Sequence, residues 1–427
     1  MRRSRTATGL VALATASLVL TACGRDEGGG GAVSQSEEIS GGEATGTIEV
    51  WAMEAEGEAL QDFVSTFEEA NPDADVKVTA IPWAAAHNKI STAIASGNTP
   101  DVSLIGTTWM GEFAEAGGLM PTPEGLVDES DFFDGAWGST EVGGASYGVP
   151  WYVETRVLYY RKDLAAKAGW DNPPESWEEL KQFATDLQDK AGVEHGLNLQ
   201  PGQTGSWQSV MPFAWSNGAS ITDESGEQYT LDSPEMAEAL DYYASYFKEG
   251  ISSDHLMDPG ELESGFADGT FGSFISGPWH AQLVEDAGVK PDQYAVAPLP
   301  GTDDAPGTSF VGGGDLAVFK DSDNADSAWK FVQWLSEPET QQDFYDTVGD
   351  LPAVSSAWES GKLASDPQLQ VFGTQLENTV APPAVPTWEQ VAASFDSLVE
   401  QVAKGSLDSD EAVQEMQSKA QSIGTGL

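Results

Sequence analysis

The chain has 427 residues, 40% of them hydrophobic, and carries a formal net charge of −50 at pH 7. This charge argues against nucleic acid as a partner, because the phosphates would be repelled. The single cysteine excludes an internal disulfide, a cysteine redox pair and a cysteine metal site. The length exceeds what one hydrophobic core usually holds, so we expect at least two domains.

The histidines give no sign of a metal site either. There are four of them, and their spacing does not match that of metal ligands; they are His87, His195, His255 and His280. The chain also lacks the Gly-Lys-Ser/Thr loop that would cradle a nucleotide phosphate. We therefore expect neither a metal nor any other cofactor.

The first residues have the order of a bacterial export signal. Three arginines lie within the first five residues, and an uncharged apolar stretch follows over residues 10–20. That stretch is too short to span a bilayer. It ends in Leu20-Thr21-Ala22-Cys23, which resembles a lipobox, the motif at which bacterial lipoproteins are cut and acylated. We predict a signal peptide over residues 1–22 and a lipid on Cys23; the alternative is a buried free cysteine near a disordered end.

The segment after the cysteine is predicted to be a tether. Residues 23–46 are rich in Gly, Ser and Glu and almost free of large apolar side chains, so they cannot bury enough surface to fold. Such a composition is typical of a flexible linker. We expect an extracytoplasmic body held at the outer face of the cell membrane by its lipid anchor, with no other membrane contact.

From residue 47 onward the pattern alternates between strands and helices. An apolar face at Leu60, Phe63, Val64 and Phe67 has the spacing of an amphipathic helix. The sequence predicts strands over 47–51, 75–79 and 101–105, with helices over 60–67 and 83–96 between them. This order implies a parallel α/β sheet with right-handed crossovers. Because ligands bind beyond the carboxyl ends of such strands, residues 51–57 and 106–109 are expected at a binding edge.

The remaining elements are predicted in the same way. A capping box, Ser176 with Glu179 three residues on, marks a helix start, and Pro234 after Ser233 marks another. The further predictions are a β-rich region over 147–160, an irregular tryptophan-bearing segment over 192–218, a helix over 234–250, a strand over 312–319, and helices over 325–335, 387–403 and 409–421.

Several short motifs, in order along the chain, carry a resemblance to a known family. They are Ile48-Glu49-Val50-Trp51, Thr99-Pro100-Asp101-Val102, the run from Gly148 to Arg156, the run from Tyr160 to Leu164, the run from Pro174 to Leu180, Ile275-Ser276-Gly277-Pro278-Trp279, and Val311-Gly312-Gly313-Gly314. Each motif is weak alone, but the ordered set spans almost the whole chain after the tether. It resembles the extracellular solute-binding lipoproteins of ABC importers, specifically the carbohydrate-binding group that includes maltodextrin-binding protein.

The resemblance implies a fold and a domain layout. The fold is α/β, the two-lobed periplasmic-binding-protein fold of type II, with a multi-strand hinge and a ligand cleft between the lobes. The first lobe would take residues 47–153 and 310–355, and the second would take 154–309 and 356–427. We expect a monomer.

The resemblance also implies a function. The chain would capture a di- or oligosaccharide by lobe closure and deliver it to ABC permease subunits in the membrane, without acting as an enzyme. One alternative is a binding protein of the same fold for a non-sugar solute. The other is a secreted glycoside hydrolase, which needs two carboxylates at a defined separation; the sequence nominates no such pair.

Candidate sugar contacts combine aromatic rings, which stack on the apolar faces of sugars, with polar groups that meet hydroxyls. The resemblance gives Trp279 as a stacking tryptophan and Glu154 as a carboxylate at the hinge. Glu154 could pair with Arg156 instead of binding the sugar, or could do both, and Arg156 is itself a candidate sugar contact. Trp151 is a further candidate, although strand alternation points its side chain opposite to Glu154. We favour Glu154 as the member of that pair that faces the cleft.

Other candidates come from loops and strand ends. Thr108 and Trp109 follow a strand where a helix begins, and Glu56 lies in the loop after the first strand. His87 is a weaker candidate. Three more positions complete the predicted site: Trp207 in a loop, Asp315 after the triple glycine that would let backbone approach a ligand, and Trp388 at a helix start.

Overall fold

The computed structural model describes residues 39–223, 225–302 and 306–427. Cys23, the predicted signal peptide and residues 23–38 of the predicted tether lie outside the described residues. The prediction of a tether was wrong for residues 39–46, because Ala44 is fully buried and Ser40 donates to the carboxylate of Asp326. The residues from 39 onward belong to one unit of the structure. None of its helices in the described ranges is long and apolar enough to cross a membrane.

Strands and helices alternate along most of the chain. The strands are β1 Gly46–Met53, β2 Ala74–Ile81, β3 Val102–Gly106, β4 Glu141–Val142, β5 Ala145–Ser146, β6 Val149–Thr155, β7 Val157–Arg161, β8 Ser273–Ser276, β9 Tyr294–Ala297, β10 Ser309–Val318, β11 Leu351–Pro352 and β12 Thr379–Val380. The helices are α1 Glu54–Phe63, α2 Ser65–Ala70, α3 Trp83–Ser96, α4 Met110–Glu115, α5 Asp134–Gly138, α6 Lys162–Ala168, α7 Trp177–Asp186, α8 Trp207–Ser216, α9 Pro234–Lys248, α10 Glu261–Asp268, α11 His280–Asp286, α12 Ala325–Leu335, α13 Pro338–Val348, α14 Gly361–Ser365, α15 Pro367–Leu376, α16 Trp388–Ala403 and α17 Ser409–Ile423.

The described strands form three sheets, of which the smallest pairs only β4 with β5. The larger of the other two has seven strands in the order β11-β6-β10-β3-β1-β2, with β12 pairing β10. Strands β1, β2 and β3 run parallel, whereas β10 is antiparallel to both β3 and β6. The smaller of these two has the order β8-β7-β9 and is antiparallel. The chain passes from the larger sheet to the smaller one at Arg156, the single residue between β6 and β7.

The parallel sheet expected from the first elements is therefore only part of a mixed sheet. The βαβ order of β1, β2 and β3 with their helices gives the parallel pairs, as the sequence indicates. The later pairs β10–β3, β10–β6 and β11–β6 are antiparallel, and no local pattern in the first hundred residues could reveal them.

Local chemistry explains where the helices begin and end. Helix α3 stops at Gly97, whose φ of 66° is left-handed and therefore suits glycine. Ser176 caps α7 by accepting from the Glu179 N–H. The reciprocal bond differs from a standard capping box, because the Glu179 carboxylate accepts from the N–H of Glu175 rather than that of Ser176.

The segment predicted as irregular over 192–218 contains helix α8, Trp207–Ser216, so that prediction was wrong in part. Two features hide this helix in the sequence. Pro212 lies inside it, and no side chain caps its first residue. Its residues are apolar on nearly all sides, since seven of them are buried, and a helix buried all round shows no amphipathic period.

Close contacts between strands explain the run of glycines in β10. A Cβ on Gly313 would lie 2.1 Å from the Tyr152 carbonyl oxygen, and Gly313 has a φ of 123°. A Cβ on Gly314 would lie 2.2 Å from the Leu104 side chain. These glycines therefore let β10 fit between its neighbours β6 and β3. Gly312 instead leaves room for the Glu154 side chain, since a Cβ there would lie 2.8 Å from an oxygen of the Glu154 carboxylate.

Candidate functional site

A large cavity in the described part of the chain has a volume of about 1260 Å³. Glu56 follows the carboxyl end of β1 and Trp83 follows that of β2, and both line it. Glu154 on β6 and Trp279 before α11 line it as well. The cavity thus lies at the strand edge that the βαβ order predicts and is also bordered by the turn after β8.

Trp279 presents a largely open indole ring to this cavity. Its exposed fraction is 44%, a high value for a tryptophan. The ring lies directly over Gly277, where a Cβ would be 2.1 Å from the indole. The Tyr159 hydroxyl donates to the Gly277 carbonyl at 2.7 Å and fixes the turn from β7. The Ser-Gly-Pro-Trp turn therefore needs glycine at position 277 to seat the ring.

Glu154 lies on the face of β6 that meets the cavity. Its carboxylate extends over Gly312 of β10 and forms an ion pair with the guanidinium of Arg156. Burial raises the pKa of Glu154, and the positive charge of Arg156 opposes that rise. Glu154 therefore occupies both predicted positions, because it lines the cavity and also pairs with Arg156.

Arg156 lies behind the cavity and is absent from its lining. One guanidinium nitrogen bonds Glu154, and another donates to Gln208 Oε1 at 3.0 Å. The guanidinium carbon also lies 4.7 Å from the centre of the Trp279 ring. We expected Arg156 to contact the ligand. In this structure it contacts Glu154 and Trp279, which both line the cavity.

A second group of polar side chains lies on another wall of the cavity. Glu56 is 9% exposed, and burial raises the pKa of its carboxyl, although the Tyr152 hydroxyl bonds to it. Burial, with the nearby charge of Glu56, raises the pKa of Asp350 to about 7. One oxygen of Asp350 is buried without a hydrogen-bond partner. This wall therefore offers polar groups whose hydrogen-bonding capacity is not fully used.

A smaller cavity of about 330 Å³ lies beyond Arg156. Thr108, after β3, lines it from one side, and Trp207 and Gln208 of α8 line it from the other. Gln208 accepts from Arg156, and Arg156 also pairs with Glu154 of the larger cavity, so these two interactions together connect the walls of the two cavities. Two of the sequence candidates, Thr108 and Trp207, thus belong to this second cavity.

Three other candidates are buried away from both cavities. Trp151 is 1% exposed and its ring centre lies 4.6 Å from that of Phe344, because alternation along β6 turns it to the face opposite Glu154. Trp388 is fully buried, and its ring meets the edge of Trp207. Both are core residues, and the expectation that they contact a ligand is not met in this structure.

Asp315 is the third buried candidate. Its exposed fraction is 1%, and it lies in β10 where the register against β6 shifts. Burial raises the pKa of Asp315 to about 8, opposed by its bond to Ser139. The triple glycine before it serves contacts between strands, so the inferred approach of a ligand to Asp315 is not met either.

Trp109 stands beside the larger cavity without lining it. Its ring folds back over Gly106 and packs on Trp83, with ring centres 5.4 Å apart. His87 contacts the same ring and bonds Glu112 at 2.9 Å. Trp109 therefore packs against Trp83, and of these two tryptophans Trp83 lines the cavity.

Sequence reasoning missed several residues of the larger cavity. Trp83 lies two residues after the end of β2, so the strand-end rule that selected Glu56 could have found it. Tyr152 shares the face of Glu154 two residues earlier, and strand alternation could have found it. Tyr345, Asp350, Lys362 and Gln368 had no comparable local signal, since they reach the cavity only through the tertiary fold.

Comparison with known proteins gives consistent results. Residues 51–342 match the family described as bacterial extracellular solute-binding protein. The chain is 27% identical to the maltotriose-binding protein of Pyrococcus abyssi, over 84% of this chain and 78% of that one. It is also 27% identical to the diacetylchitobiose-binding protein of Streptomyces coelicolor, over 87% of each chain.

A solved structure supports the same relationship. The sugar-binding protein MalE of Xanthomonas citri superimposes with a TM-score of 0.83 at 32% identity, covering 88% of this chain and 97% of that one. The expected two-lobed α/β fold is thereby confirmed. The chain belongs to the family of bacterial extracellular solute-binding proteins.

Proposed function

We propose that this protein is the binding subunit of an ABC sugar importer and that it captures a di- or oligosaccharide in the larger cavity. The observation that carries the proposal is the presence of the open Trp279 ring and the Glu154 carboxylate on the lining of one cavity. The relatives named for maltotriose and diacetylchitobiose support the same ligand class.

The chemistry of the lining suits a sugar. The C–H faces of a sugar ring stack on aromatic faces, and Trp83, Tyr152 and Trp279 supply aromatic rings. Sugar hydroxyls need hydrogen-bond donors and acceptors. The carboxyl groups of Glu56, Glu154 and Asp350 accept when ionised and can also donate when protonated. A hydroxyl that donates to the free oxygen of Asp350 would satisfy an atom that is otherwise buried without a partner.

The size of the cavity favours more than one ring. Pockets for drug-sized ligands range from roughly 300 to 1000 Å³. The volume of about 1260 Å³ exceeds that range and would leave a single sugar ring loosely held. A ligand of two or more rings could contact aromatic side chains on several walls at once.

The lobe boundaries are part of the proposal. We assign residues 47–153 and 310–355 to the first lobe, and 154–309 and 356–427 to the second. The passage between sheets at Arg156 supports the first boundary. Contacts of α16 and α17 with α9 support placing the carboxyl-terminal helices in the second lobe.

The proposed mechanism is closure of the two lobes around the sugar, followed by docking on membrane permease subunits. Ligand binding would shift the population from open to closed forms. In this mechanism no bond in the sugar is broken, so the protein would not act as an enzyme. We also propose that it acts as a monomer. A lipid on Cys23 would keep the receptor close to its permease and raise the local concentration there.

A fluorescence titration tests the ligand class. The probes are maltose, maltotriose, trehalose, cellobiose and diacetylchitobiose, added to the purified protein, whose 14 tryptophans supply the signal. We expect a saturable change with at least one of these sugars, and a much weaker response from Trp279→Ala. The absence of any response at millimolar sugar would contradict the proposal. Release of smaller sugars from a bound oligosaccharide would show instead that the protein is a hydrolase.

A further inference from the structure

Next to Trp279 lies a histidine with two specific partners. His280 is the first residue of α11, and its Nδ1 lies 2.7 Å from the Ser276 hydroxyl. Its Nε2 lies 3.2 Å from a carboxylate oxygen of Glu263 on α10. The side chains of His280 and Glu263 are only 12% and 16% exposed. The imidazole therefore ties α10 to the turn that carries Trp279.

The partners define the proton arrangement of the neutral ring. An ionised carboxylate can only accept, so Nε2–H donates to Glu263. Nδ1 then carries the lone pair and accepts from the Ser276 hydroxyl. In the imidazolium both ring nitrogens donate, so the bond to Glu263 persists while the bond to Ser276 must reverse direction.

We propose that His280 is a positioning residue for Trp279, and that the protonation state of His280 sets where the indole stands in the larger cavity. The consequence for sugar affinity rests on the proposed function, whereas the control of Trp279 does not. The His280 and Trp279 ring centres are 5.9 Å apart, and the two residues are adjacent in the chain. A movement of the imidazole therefore reaches the indole directly.

Protonation disturbs this arrangement in two ways. Nδ1–H would replace the Ser276 hydroxyl as donor, so Ser276 Oγ would have to accept and send its own hydrogen elsewhere. The new positive charge would also lie near Arg156, whose guanidinium is in contact with Trp279. Burial lowers the pKa of His280, and Arg156 lowers it further, while Glu263 acts in the opposite direction.

The groups around His280 come from several elements. Glu263 faces it from α10, Ser276 from β8 and Arg156 from the passage between β6 and β7. Tyr159 of β7 contacts the ring, but its hydroxyl already donates to Gly277. Glu263 is the one of these groups that stabilises the imidazolium, whereas Arg156 and burial favour the neutral ring.

A ligand-free experiment tests the proposal directly. The protein is labelled with 5-fluorotryptophan, the Trp279 resonance is assigned with Trp279→Phe, and ¹⁹F spectra are recorded from pH 7.5 to 4.5. We expect this resonance to shift along one titration curve in the wild type and to stay constant in His280→Gln. His255→Gln is the matched control, since His255 also pairs with a glutamate, Glu261, but is 60% exposed.

A second variant keeps the test decisive if His280→Gln does not fold. Removing the carboxylate in Glu263→Gln should move the midpoint of the Trp279 titration to lower pH, because Glu263 raises the pKa of His280. A Trp279 resonance that does not titrate, or one that titrates identically in the available variant, would overturn the proposal.

The consequence for affinity is measured separately. For whichever sugar of the panel binds, we expect the affinity to fall about five- to tenfold from pH 7.5 to 5, the cost of roughly one hydrogen bond. In His280→Gln the affinity should be nearly independent of pH. If no sugar binds at either pH, the proposed function fails while the fluorine titration still decides the role of His280.

Discussion

The guanidinium carbon of Arg156 lies 4.7 Å from the centre of the Trp279 indole ring. Arg156 is also the residue at which the chain passes from the larger sheet to the smaller one. The same side chain pairs with Glu154 on β6 and donates to Gln208 on α8. One arginine thus holds the stacking ring and the carboxylate of the proposed sugar site in a fixed relation.

Replacing Arg156 with methionine should weaken sugar binding. The variant loses the contact with Trp279 and leaves the Glu154 carboxylate without its cation, so the pKa of Glu154 should rise further. We expect sugar affinity to fall by about tenfold to a hundredfold, or about 1.5–3 kcal/mol, as measured by calorimetry. Lys181→Met is the control, because Lys181 also lies near an aromatic ring, that of Tyr246, and does not line the cavity. Equal losses in both variants would contradict the role of Arg156.

Truncation to alanine should mainly reduce sugar affinity for a tryptophan of the cavity and mainly reduce stability for a tryptophan of the core. Trp279→Ala removes a ring that is 44% exposed, so it should reduce sugar affinity strongly and change the free energy of unfolding by less than about 1 kcal/mol. Trp388→Ala removes a fully buried ring and should cost about 3–5 kcal/mol of stability. Urea unfolding and calorimetry on both variants measure the two effects. A stable Trp388→Ala protein with lost affinity would place Trp388 in the binding site instead.

The buried carboxyl of Asp315 should make stability depend on pH. Its pKa of about 8 in the folded protein lies above the value of about 3.9 for an unfolded Asp. Between these values the folded state binds the proton and the unfolded state does not, so the stabilising contribution is full at low pH and is lost as pH rises through about 8. The slope contributed by Asp315 should approach about 1.4 kcal/mol per pH unit.

Asp315→Asn isolates this contribution. The asparagine side-chain oxygen can still accept from the Ser139 hydroxyl and carries no charge at any pH, so the stability of the variant relative to the wild type should be greater at pH 8 than at pH 5. Asp75→Asn is the control, since that carboxylate is 63% exposed. Melting temperatures from pH 5 to 9 provide the measurement. Parallel curves for wild type and Asp315→Asn would show that Asp315 does not hold a proton.

Gly313→Ala should destabilise the junction between β10 and β6. A Cβ would lie 2.1 Å from the Tyr152 carbonyl oxygen at a φ of 123°, so we expect a loss of about 3 kcal/mol or more in stability. Gly138→Ala is the matched control, because nothing lies within 4 Å of a Cβ there. Thermal unfolding distinguishes the two variants, and a Gly313→Ala protein as stable as Gly138→Ala would disprove the strand contact.

The proposed lipid anchor is tested with Cys23→Ser. The variant should leave the membrane fraction of cells and appear in the soluble extracytoplasmic fraction. Its affinity for sugar should match that of the wild type, because Cys23 precedes the body that carries the cavity. A loss of affinity would indicate that the segment around residues 23–46 is part of the binding fold.

Sequence alone predicted the regular elements well where a local signal marks them. The bounds of α3 and α12 follow from periodicity and flanking residues, and Gly97 marks an end because its backbone is left-handed. Helix α8 escaped prediction because it is apolar on nearly all sides and contains Pro212. The antiparallel entry of β10 depends on contacts between distant parts of the chain, and no local pattern reports these.

The residues of the cavity were predictable from sequence only where a motif marks them. Trp279 and Glu154 were identified through family motifs and line the larger cavity. Tryptophan count alone could not separate Trp279 from the buried Trp388, because both are preceded by short proline-containing turns. Asp350 reaches the cavity from a turn after α13, and only the folded chain brings it near Glu56.

We propose above all that an oligosaccharide binds in the cavity lined by Trp279 and Glu154. A crystal structure of the protein with a sugar that changes its fluorescence tests this claim most directly. We expect a sugar ring stacked on Trp279 and a sugar hydroxyl bonded to Glu154. A sugar bound elsewhere on the protein, with this cavity holding only solvent, would contradict the account.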